Sequence, residues 1–374
     1  MRSLTRFLGP PFWSPAMHFI GVDLNKKSIT VCVMDEKQSV VARKTLPCEE
    51  PDQIVEFFRR FRPFQVVVEA TASYPWFVEL VEPLAEKIVL AHPKKLRVIA
   101  ESTRKTDNLD AFVLAEFLAL GKIPQAYMPT PRQRQHRRLV RYRHYLRGRM
   151  TSVRCKIRHI LGDYNADRKD LFSANCGPTY LKQVPLSDTD RFVIKQLWSE
   201  FLDHQARVQS ATKKIKAFIK KAPKPEKETR AIIKTAPGVG FVTAEVVISE
   251  LGDVSRFPNA KRICAYAGLV PRVRQTGGKK PKDLAITKEG SGLLRWALVE
   301  SAWRLVKTSP RWSVFFSRLK QRSGSKRAIV AVARKLLCVL YAMLKTSTPY
   351  RFIPAEAKTP KIKIKPLSVK TSTA

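Results

Sequence analysis

Alternating apolar and polar positions near the start of the chain predict a β-sheet. Two such runs, Phe19–Leu24 and Ile29–Met34, flank a polar turn and predict a hairpin, and a third short run follows near Ser39–Leu46. Helices are predicted over Pro51–Phe61 and Trp76–Glu86. Short, continuously apolar strands are predicted over Gln65–Val68 and Lys87–Ala91. Strands that alternate with helices in this way predict an α/β fold with a mixed sheet.

After Leu109 the apolar spacing becomes helical. Arg132–Arg158 and Phe192–Lys221 predict two long amphipathic helices, a candidate coiled-coil arm that Pro178–Pro185 interrupts. Ala222–Lys227 is predicted to be a linker to a second compact unit. Five helices are predicted in that unit: Thr243–Glu250, Asn259–Ala267, Gly292–Lys307, Pro310–Arg318 and Lys326–Lys345.

The pattern divides the chain into five predicted segments. They are an unstructured extension over 1–16, an α/β domain over 17–130, a basic helical arm over 131–228, a mainly helical domain over 229–350 and a disordered Lys/Pro tail over 351–374. The prolines of the extension argue against a signal peptide. Because the first convincing strand begins just after Met17, either Met1 or Met17 can be the natural start.

The charge of the chain is strongly unbalanced. Its 374 residues include 70 Lys and Arg against 31 Asp and Glu, a formal net charge of +39. An enzyme of small neutral substrates has no use for such self-repulsion, whereas a polyanion offsets it, so we expect nucleic acid as the partner. No run of about 18 apolar residues is present, and no membrane partner is expected.

The cysteines predict neither a zinc site nor a disulfide framework. All six are scattered, without a CxxC pair. Cysteines this sparse in a long chain fit a reducing compartment, so we expect a cytoplasmic location.

Arginines are concentrated in the predicted arm. Residues 117–162 contain no acid, and Arg132–Arg158 contains ten arginines together with Tyr142 and Tyr145. A charge run is usually a solvated helix face, but without interleaved acids such a face repels itself. We therefore expect the arm to bind the phosphates of DNA or RNA, with tyrosines stacking on bases. The candidate contacts are Arg132, Arg137, Arg138, Arg141 and Arg147.

Four acids of the α/β domain are candidates for chemistry. Asp23 lies in the first strand, Glu69 closes a buried strand, and Asp107 and Asp110 share one face of a predicted helix. Two divalent ions about 3.5–4 Å apart stabilise the attacking and leaving oxygens of a phosphodiester, and Mg²⁺ or Mn²⁺ prefers carboxylate ligands. Each acid alone also has a structural interpretation: Asp107 as a helix N-cap, Glu69 as the partner of an arginine. Their joint order favours a metal site.

Several segments resemble a known family. Similarity to the RuvC-like DEDD domain of insertion-sequence transposases is carried by IGVDLNKKSITVCVMD, VVVEATASYPWFVELV and VLAHPKKLRVIAESTRKTDNLDAFVLAEFL. The family is the one numbered one-ten, which includes the Piv-type DNA invertases. The resemblance continues in TAPGVGFVTAEVVISELGDVSRFPNAKRICAYAGLVP and ITKEGSGLLRWALVESAW, and extends from Met17 to about Tyr350.

The resemblance implies an RNase H-like (RuvC-like) domain in which the four acids hold Mg²⁺ or Mn²⁺, then a helical arm and a mainly α C-terminal transposase domain. It implies DNA recombination through a covalent link between DNA and a side-chain hydroxyl. It also implies a structured guide RNA encoded by the element, and a homo-oligomer (dimer or tetramer) in which the metal site of one subunit lies beside the nucleophile of another. The implied location is a bacterial or archaeal cytoplasm, in association with the nucleoid.

The nucleophile of the resembled family is a serine, and the corresponding segment here reads GLVPRVRQTGGKKPKDLAITKEG. The aligned residue is Thr276, whose extra methyl group hinders in-line attack and restricts the rotamers. Three interpretations stay open: Thr276 is a working nucleophile, the nearby Ser291 replaces it, or this copy is inactive. Thr276 can also simply shape a turn. Lys279 and Lys280 beside it are candidates for holding the target strand.

The segment Ala236–Gly240 resembles the hairpin of a helix-hairpin-helix element. Such a turn presents backbone N–H groups to a phosphate at the start of the next helix, and its glycines permit close approach. Gly238 and Gly240 are therefore candidate nucleic-acid contacts, although the same sequence is typical of an ordinary turn.

Three functions are consistent with these patterns. The first is an RNA-guided DNA transposase that uses a covalent intermediate. The second is a metal-dependent nuclease of the Holliday-junction-resolvase kind, in which water attacks. The third is a transposase that has lost catalysis and only binds nucleic acid. A covalent protein–DNA adduct distinguishes the first from the second, and metal-dependent cleavage excludes the third.

Overall fold

A computed structural model describes residues 16–71, 73–99, 106–173, 177–273 and 285–351. The chain divides into two compact units, one that ends at Met128 and one that begins at Pro129. The predicted extension lies outside the described residues except for its last residue, and so does the predicted tail except for its first.

A mixed five-stranded sheet forms the centre of the first unit, as the sequence predicts. Its strands are β1 (His18–Leu24), β2 (Ser28–Met34), β3 (Val40–Pro47), β4 (Phe64–Glu69) and β5 (Lys87–Ala91). Their order across the sheet is β3-β2-β1-β4-β5. The β1–β2 and β2–β3 pairs are antiparallel, whereas β1–β4 and β4–β5 are parallel. This arrangement is compatible with an RNase H-like fold.

One face of this sheet is covered by two helices, α1 (Pro51–Arg59) and α2 (Tyr74–Val81). Alternate strand residues such as Ile20 and Val22 point to this side, where they pack against Phe58 of α1 and Phe77 of α2. All four of these side chains are fully buried. Each contributes roughly 1.5–3 kcal/mol through the removal of apolar surface from water. A further helix, α3 (Pro93–Ile99), follows β5.

The opposite face is covered by α4 (Asp107–Ala119), whose backbone lies directly against β1 at Gly21. A Cβ atom at Gly21 would collide with the carbonyl oxygen of Ala111 and the backbone nitrogen of Ala115. The absence of a side chain at this position therefore sets the distance between helix and strand.

Two long helices begin the second unit, and they correspond to the predicted arm. They are α5 (Pro131–Asp163) and α7 (Asp188–Lys220), each of 33 residues. Each begins at a hydroxyl N-cap, since the side chains of Thr130 and Ser187 accept hydrogen bonds from backbone N–H groups of the first turn. The two helices pack along each other through apolar residues at helical spacing: Met150, Val153, Ile157 and Leu161 on α5, Ile194 and Phe201 on α7.

Seven further helices are described in the second unit. They are α6 (Gly177–Gln183), α8 (Lys224–Lys234), α9 (Phe241–Leu251), α10 (Ala260–Tyr266), α11 (Gly292–Thr308), α12 (Pro310–Ser323) and α13 (Ser325–Lys345). The last of them, α13, packs against α8, α10, α11 and α12. Its buried residues, among them Val332, Leu336 and Leu340, lie in one continuous core shared by these helices.

Of two predictions about proline-containing segments, one is confirmed and one is wrong in part. The segment Pro178–Pro185 lies in the interruption between α5 and α7, as predicted, and α6 overlaps it. The predicted linker Ala222–Lys227 includes the first turn of α8, in which Pro225 occupies an N-terminal position. A proline there starts a helix rather than breaking it, because the first turn needs no backbone N–H from that residue.

Among the described residues, no helix has the length and apolar character needed to cross a membrane.

The contact at Gly21 gives a first prediction. Substitution Gly21→Ala should lower the free energy of unfolding by roughly 2 kcal/mol or more, because backbone atoms of α4 cannot yield to the added methyl group. The measurement is denaturant unfolding followed by circular dichroism. The matched control is Gly148→Ala on α5, where an added Cβ meets nothing within 4 Å. The control substitution should raise the free energy of unfolding by about 0.5–1 kcal/mol, because alanine has a higher helix propensity than glycine. Equal effects of the two substitutions would contradict the proposed contact.

Candidate active site

Asp23 and Glu69 lie side by side at the carboxyl ends of two parallel strands. The pairing of β1 with β4 ends with Val22 opposite Val68, and the two acids are the next residues along. Because side chains alternate between the faces of a sheet, Asp23 shares the face of Gly21. That is the face against which α4 packs.

The first turn of α4 contributes Asp107 and Asp110. Thr106 is the N-cap of this helix, and its side-chain oxygen accepts a hydrogen bond from the backbone N–H of Leu109 at 3.2 Å. Asp107 therefore does not serve as the cap, and its carboxylate is directed elsewhere. The side-chain amide of Asn25 shows where: Nδ2 donates to Asp23 Oδ2 and to Asp107 Oδ2, both at 3.0 Å.

The four acids interact electrostatically. Partial burial raises the pKa of Asp23 to about 6, and the charges of Asp107, Asp110 and, to a smaller extent, Glu69 act in the same direction. The hydrogen bond from Asn25 opposes this shift without cancelling it. The structure thus places the four predicted acids in one region of negative potential. Asn25, which the sequence analysis did not select, bridges two of them.

These acids are suited by chemistry to a divalent cation. Their oxygens are hard donors of the kind that Mg²⁺ and Mn²⁺ prefer, and a cation would offset both the burial and the repulsion that raise the pKa of Asp23. In the described part of the chain, no three or more His, Cys, Asp or Glu side chains are arranged as a metal-binding cluster. The four carboxylates as a donor set fit a divalent metal ion.

Three of the candidate arginines bind acceptors within their own unit. Arg137 donates from Nε to the carbonyl oxygen of Ser249 at 2.7 Å and from Nη2 to that of Glu250 at 2.8 Å, near the C-terminal end of α9. Arg141 makes a bidentate pair with the carboxylate of Glu250, at 2.8 and 2.9 Å. Arg132 pairs with Glu226 at 2.6 Å. These guanidinium groups hold α5 against α8 and α9. The run of arginines in the sequence predicted contacts with nucleic acid and did not indicate these contacts within the protein.

The other two candidates on α5, Arg138 and Arg147, are exposed. Exposed arginines without acids nearby in the sequence remain well placed to bind phosphate oxygens. The nucleic-acid contact predicted for this helix therefore rests on these residues rather than on the three that are engaged.

A buried ionic cluster joins the same helices and escaped the sequence analysis. Glu245 of α9 is 1% exposed, and its carboxylate accepts hydrogen bonds from Arg230 at 2.6 and 3.0 Å. His136 Nε2 of α5 lies 3.0 Å from Glu245 Oε2. Burial alone would raise the pKa of Glu245, but the contacts with His136 and Arg230 hold the pKa below its ordinary value.

The turn between α8 and α9 contains both candidate glycines. Gly238 has a positive φ of 76°, and a Cβ there would lie 2.8 Å from the carbonyl oxygen of Ser301 on α11. Close packing against α11 therefore accounts for this glycine, while Gly240 forms the N-cap of α9. Binding of phosphate by this turn, and its identity as a helix-hairpin-helix, stay predictions.

Thr276, Lys279 and Lys280 lie outside the described residues. The described residues on either side of 274–284 are joined by backbone hydrogen bonds, from Arg272 N–H to Ala285 and from Thr287 N–H to Val270, both at 2.9 Å. Ser291, the alternative nucleophile, is the N-cap of α11, and its Oγ accepts a hydrogen bond from Leu294 N–H at 3.2 Å. That bond gives Ser291 a structural role.

The crowded carboxylates give a prediction about pH. The pKa of Asp23 rises from 3.8 to about 6 on folding, so its ionisation costs stability above about pH 6 and costs none below pH 4. In EDTA, Asp23→Asn should therefore raise the free energy of unfolding at pH 7.5 by on the order of 1 kcal/mol, after allowance for solvent screening. This gain should vanish near pH 4.

The measurement is chemical unfolding at the two pH values, with Glu49→Gln, an exposed acid of the same unit, as the control. The control should show no pH-dependent gain. A gain for Asp23→Asn that is equal at pH 4 and pH 7.5 would contradict the raised pKa of Asp23.

Comparison with known proteins places these features in a family. A family model described as the transposase of the IS116/IS110/IS902 family matches residues 230–317, and a DEDD transposase model of the IS110 type matches residues 20–166. The chain is 25% identical to the transposase for insertion sequence element IS1111A of Coxiella burnetii, over 89% of this chain and 91% of the relative.

Other relatives have similar coverage. A probable family 20 transposase of Pseudomonas aeruginosa is 26% identical over 89% of this chain and 98% of its own length. The pilin gene-inverting protein of Moraxella bovis is 28% identical over 76% of this chain and 81% of its own length. The DEDD model covers the four acids and nearly all of the sheet, and the IS116/IS110/IS902 model covers α9 to α11. The chain therefore belongs to the IS110 family of transposases.

Proposed function

We propose that this transposase recombines DNA by metal-assisted transesterification through a covalent link between DNA and the hydroxyl of Thr276. The observation that carries the proposal is the convergence of the four carboxylates: Asn25 bridges Asp23 and Asp107, and burial together with the charges of the other three acids raises the pKa of Asp23. A fold gains nothing in stability from holding four carboxylates together. Such an arrangement is typical of a site that serves chemistry.

Asp23, Glu69, Asp107 and Asp110 are the residues that would hold Mg²⁺ or Mn²⁺. When bound, the ions supply charge neutralisation at the attacking and leaving oxygens of the phosphodiester. Asn25 would keep Asp23 and Asp107 at a fixed separation through its two hydrogen bonds. The donor oxygens are carried by the carboxyl ends of β1 and β4 and by the first turn of α4, so regular secondary structure rather than a loop positions them.

The chemical step on the protein side is a phosphoryl transfer to Thr276. Its Oγ1 forms a bond to phosphorus, the bond from phosphorus to one DNA oxygen breaks, and the leaving oxygen takes up a proton equivalent to the one that the hydroxyl loses. The phosphothreonine link conserves the energy of the broken ester. Reversal of the step with a different DNA end therefore joins strands without an external energy source.

A structured guide RNA and a homo-oligomer, dimer or tetramer, complete the proposal. The net charge of +39 supports binding of nucleic acid, and both DNA and a guide RNA are polyanions that would offset it. The exposed arginines of α5, Arg138 and Arg147, are the proposed phosphate contacts of the arm, and either DNA or RNA satisfies their chemistry.

One observation favours a second candidate. Threonine stands where the family has serine, and its methyl group hinders in-line attack. If Thr276 does not react, the same carboxylates would support cleavage by water, as in a metal-dependent nuclease, or the protein would bind nucleic acid without catalysis.

A covalent-adduct assay tests the proposal. The full-length protein is incubated with DNA of the element's ends, the flanking noncoding RNA and Mg²⁺, and the products are separated on a denaturing gel. We expect a protein–DNA adduct with the natural chain and with Thr276→Ser. No adduct is expected with Thr276→Ala or Asp23→Asn, each at least about 100-fold reduced because an essential group is missing.

Each other outcome identifies an alternative. Metal-dependent cleavage without an adduct indicates attack by water. Activity that appears only in Thr276→Ser indicates a transposase disabled by one methyl group. An adduct that survives in Thr276→Ala would contradict the assignment of the nucleophile and direct attention to Ser291.

The exposed arginines give a separate prediction. The double substitution Arg138→Gln with Arg147→Gln should weaken nucleic-acid binding and reduce the slope of log K against log salt by about 1–2, since each phosphate contact accounts for about 0.7–0.9 of that slope. The measurement is fluorescence anisotropy over a salt series. The control is Arg207→Gln on α7, whose guanidinium pairs with Asp203 at 2.9 Å. An equal loss in the control would assign the effect to general charge.

A further inference from the structure

Two cysteines that are far apart in the sequence lie side by side in the second unit. Cys264 of α10 and Cys338 of α13 have their sulfur atoms 3.5 Å apart. Cys264 is fully buried, whereas Cys338 is partly exposed. A partly exposed cysteine is thus in contact with a fully buried one.

The two thiols differ in chemical character. A hydrogen bond from the thiol of Cys264 lowers the pKa of Cys338, and the nearby charges of Arg334 and Lys335 act in the same direction, against the effect of burial. The same contact and burial raise the pKa of Cys264. Since the thiolate is the reactive form, Cys338 is the sulfur that would react first, and Cys264 is placed to react with it afterwards.

The distance is compatible with a bond. A disulfide has a sulfur–sulfur length of about 2.05 Å, so the two atoms need to approach by about 1.5 Å. Cys264 lies on a helix of only seven residues, α10, which packs against the 21-residue α13. A small rotation of the cysteine side chains or a small shift of the short helix would supply that approach.

We propose that Cys264 and Cys338 form a reversible disulfide when the protein meets a peroxide, so that this pair is an oxidation site of the transposase. The Cys338 thiolate attacks hydrogen peroxide, the O–O bond breaks, and a sulfenic acid and hydroxide form. Cys264 then attacks the sulfenic sulfur, the S–S bond forms, and water leaves. In total, two thiols and one peroxide give one disulfide and two water molecules.

The position of the bond gives it a consequence for the fold. The chain leaves α10 through Gly268 and reaches Val270, which is joined to Thr287 across the segment 274–284. The disulfide would tie the helix at the entrance of this segment to α13. The inference does not depend on the proposed chemistry of Thr276 or of the carboxylates.

Peptide mapping of the full-length protein tests the proposal. The folded protein is treated with hydrogen peroxide, free thiols are alkylated, and peptides are identified by mass spectrometry. We expect a peptide pair joined through Cys264 and Cys338, lighter by about 2 Da than the two reduced peptides and separated again by dithiothreitol. The oxidised protein should also unfold at a higher temperature than the reduced protein.

Serine variants separate the two roles. In Cys264→Ser, the cross-link should be lost and dimedone should trap a sulfenic acid at Cys338. In Cys338→Ser, no dimedone adduct should form at Cys264. The control Cys155→Ser removes an exposed cysteine of α5 and should leave the cross-link unchanged.

Two results would overturn the inference. The first is an absence of the Cys264–Cys338 cross-link at peroxide concentrations that oxidise Cys155. The second is a cross-link that forms only after denaturation in urea, since this would show that the folded arrangement does not allow the bond.

Discussion

The close contact of α4 with β1 at Gly21 is the constraint on which the candidate active site depends. Four carboxylates repel one another, so their proximity must be imposed by packing elsewhere. The Gly21 contact supplies this, because the backbone atoms of Ala111 and Ala115 occupy the space of a side chain. Asp107 and Asp110 stand at the start of the same helix, and they reach Asp23 because their helix lies so close to the strand. The repulsion among the four carboxylates is thus offset by the packing of α4 against the sheet.

In the second unit, positive charge has two distinct uses. Arg132, Arg137 and Arg141 are held by acids or carbonyl groups of α8 and α9. Together with the contact of His136 with the buried Glu245, these ion pairs and hydrogen bonds hold the start of α5 against α8 and α9. Arg138 and Arg147 are exposed on the same helix. Fewer basic side chains are therefore available to nucleic acid than the count of Lys and Arg suggests, because some of them maintain the fold.

Local patterns predicted most of the elements, and long-range pairings account for what they missed. Lys87–Ala91 and the start at Gly292 were predicted at the observed residues, because runs and spacings of apolar residues are local signals. The order of the four acids was visible, but their proximity required the register of β1 with β4. Glu245 gave no sign of its role, since it lies in an apolar helix and one of its partners, His136, is on another helix. The contact of Cys264 with Cys338 spans 74 residues and likewise leaves no trace in sequence spacing.

The length of α5 has a consequence for the scale of the molecule. A helix of 33 residues is about 50 Å long. The same distance corresponds to about fifteen base pairs of B-form duplex at 3.4 Å for each pair. The N-terminal part of this helix is held against α8 and α9 by ion pairs and hydrogen bonds, and its later turns pack against α7. A change in the length of α5 would therefore need a matching change in α7 for the apolar contacts between the two helices to persist.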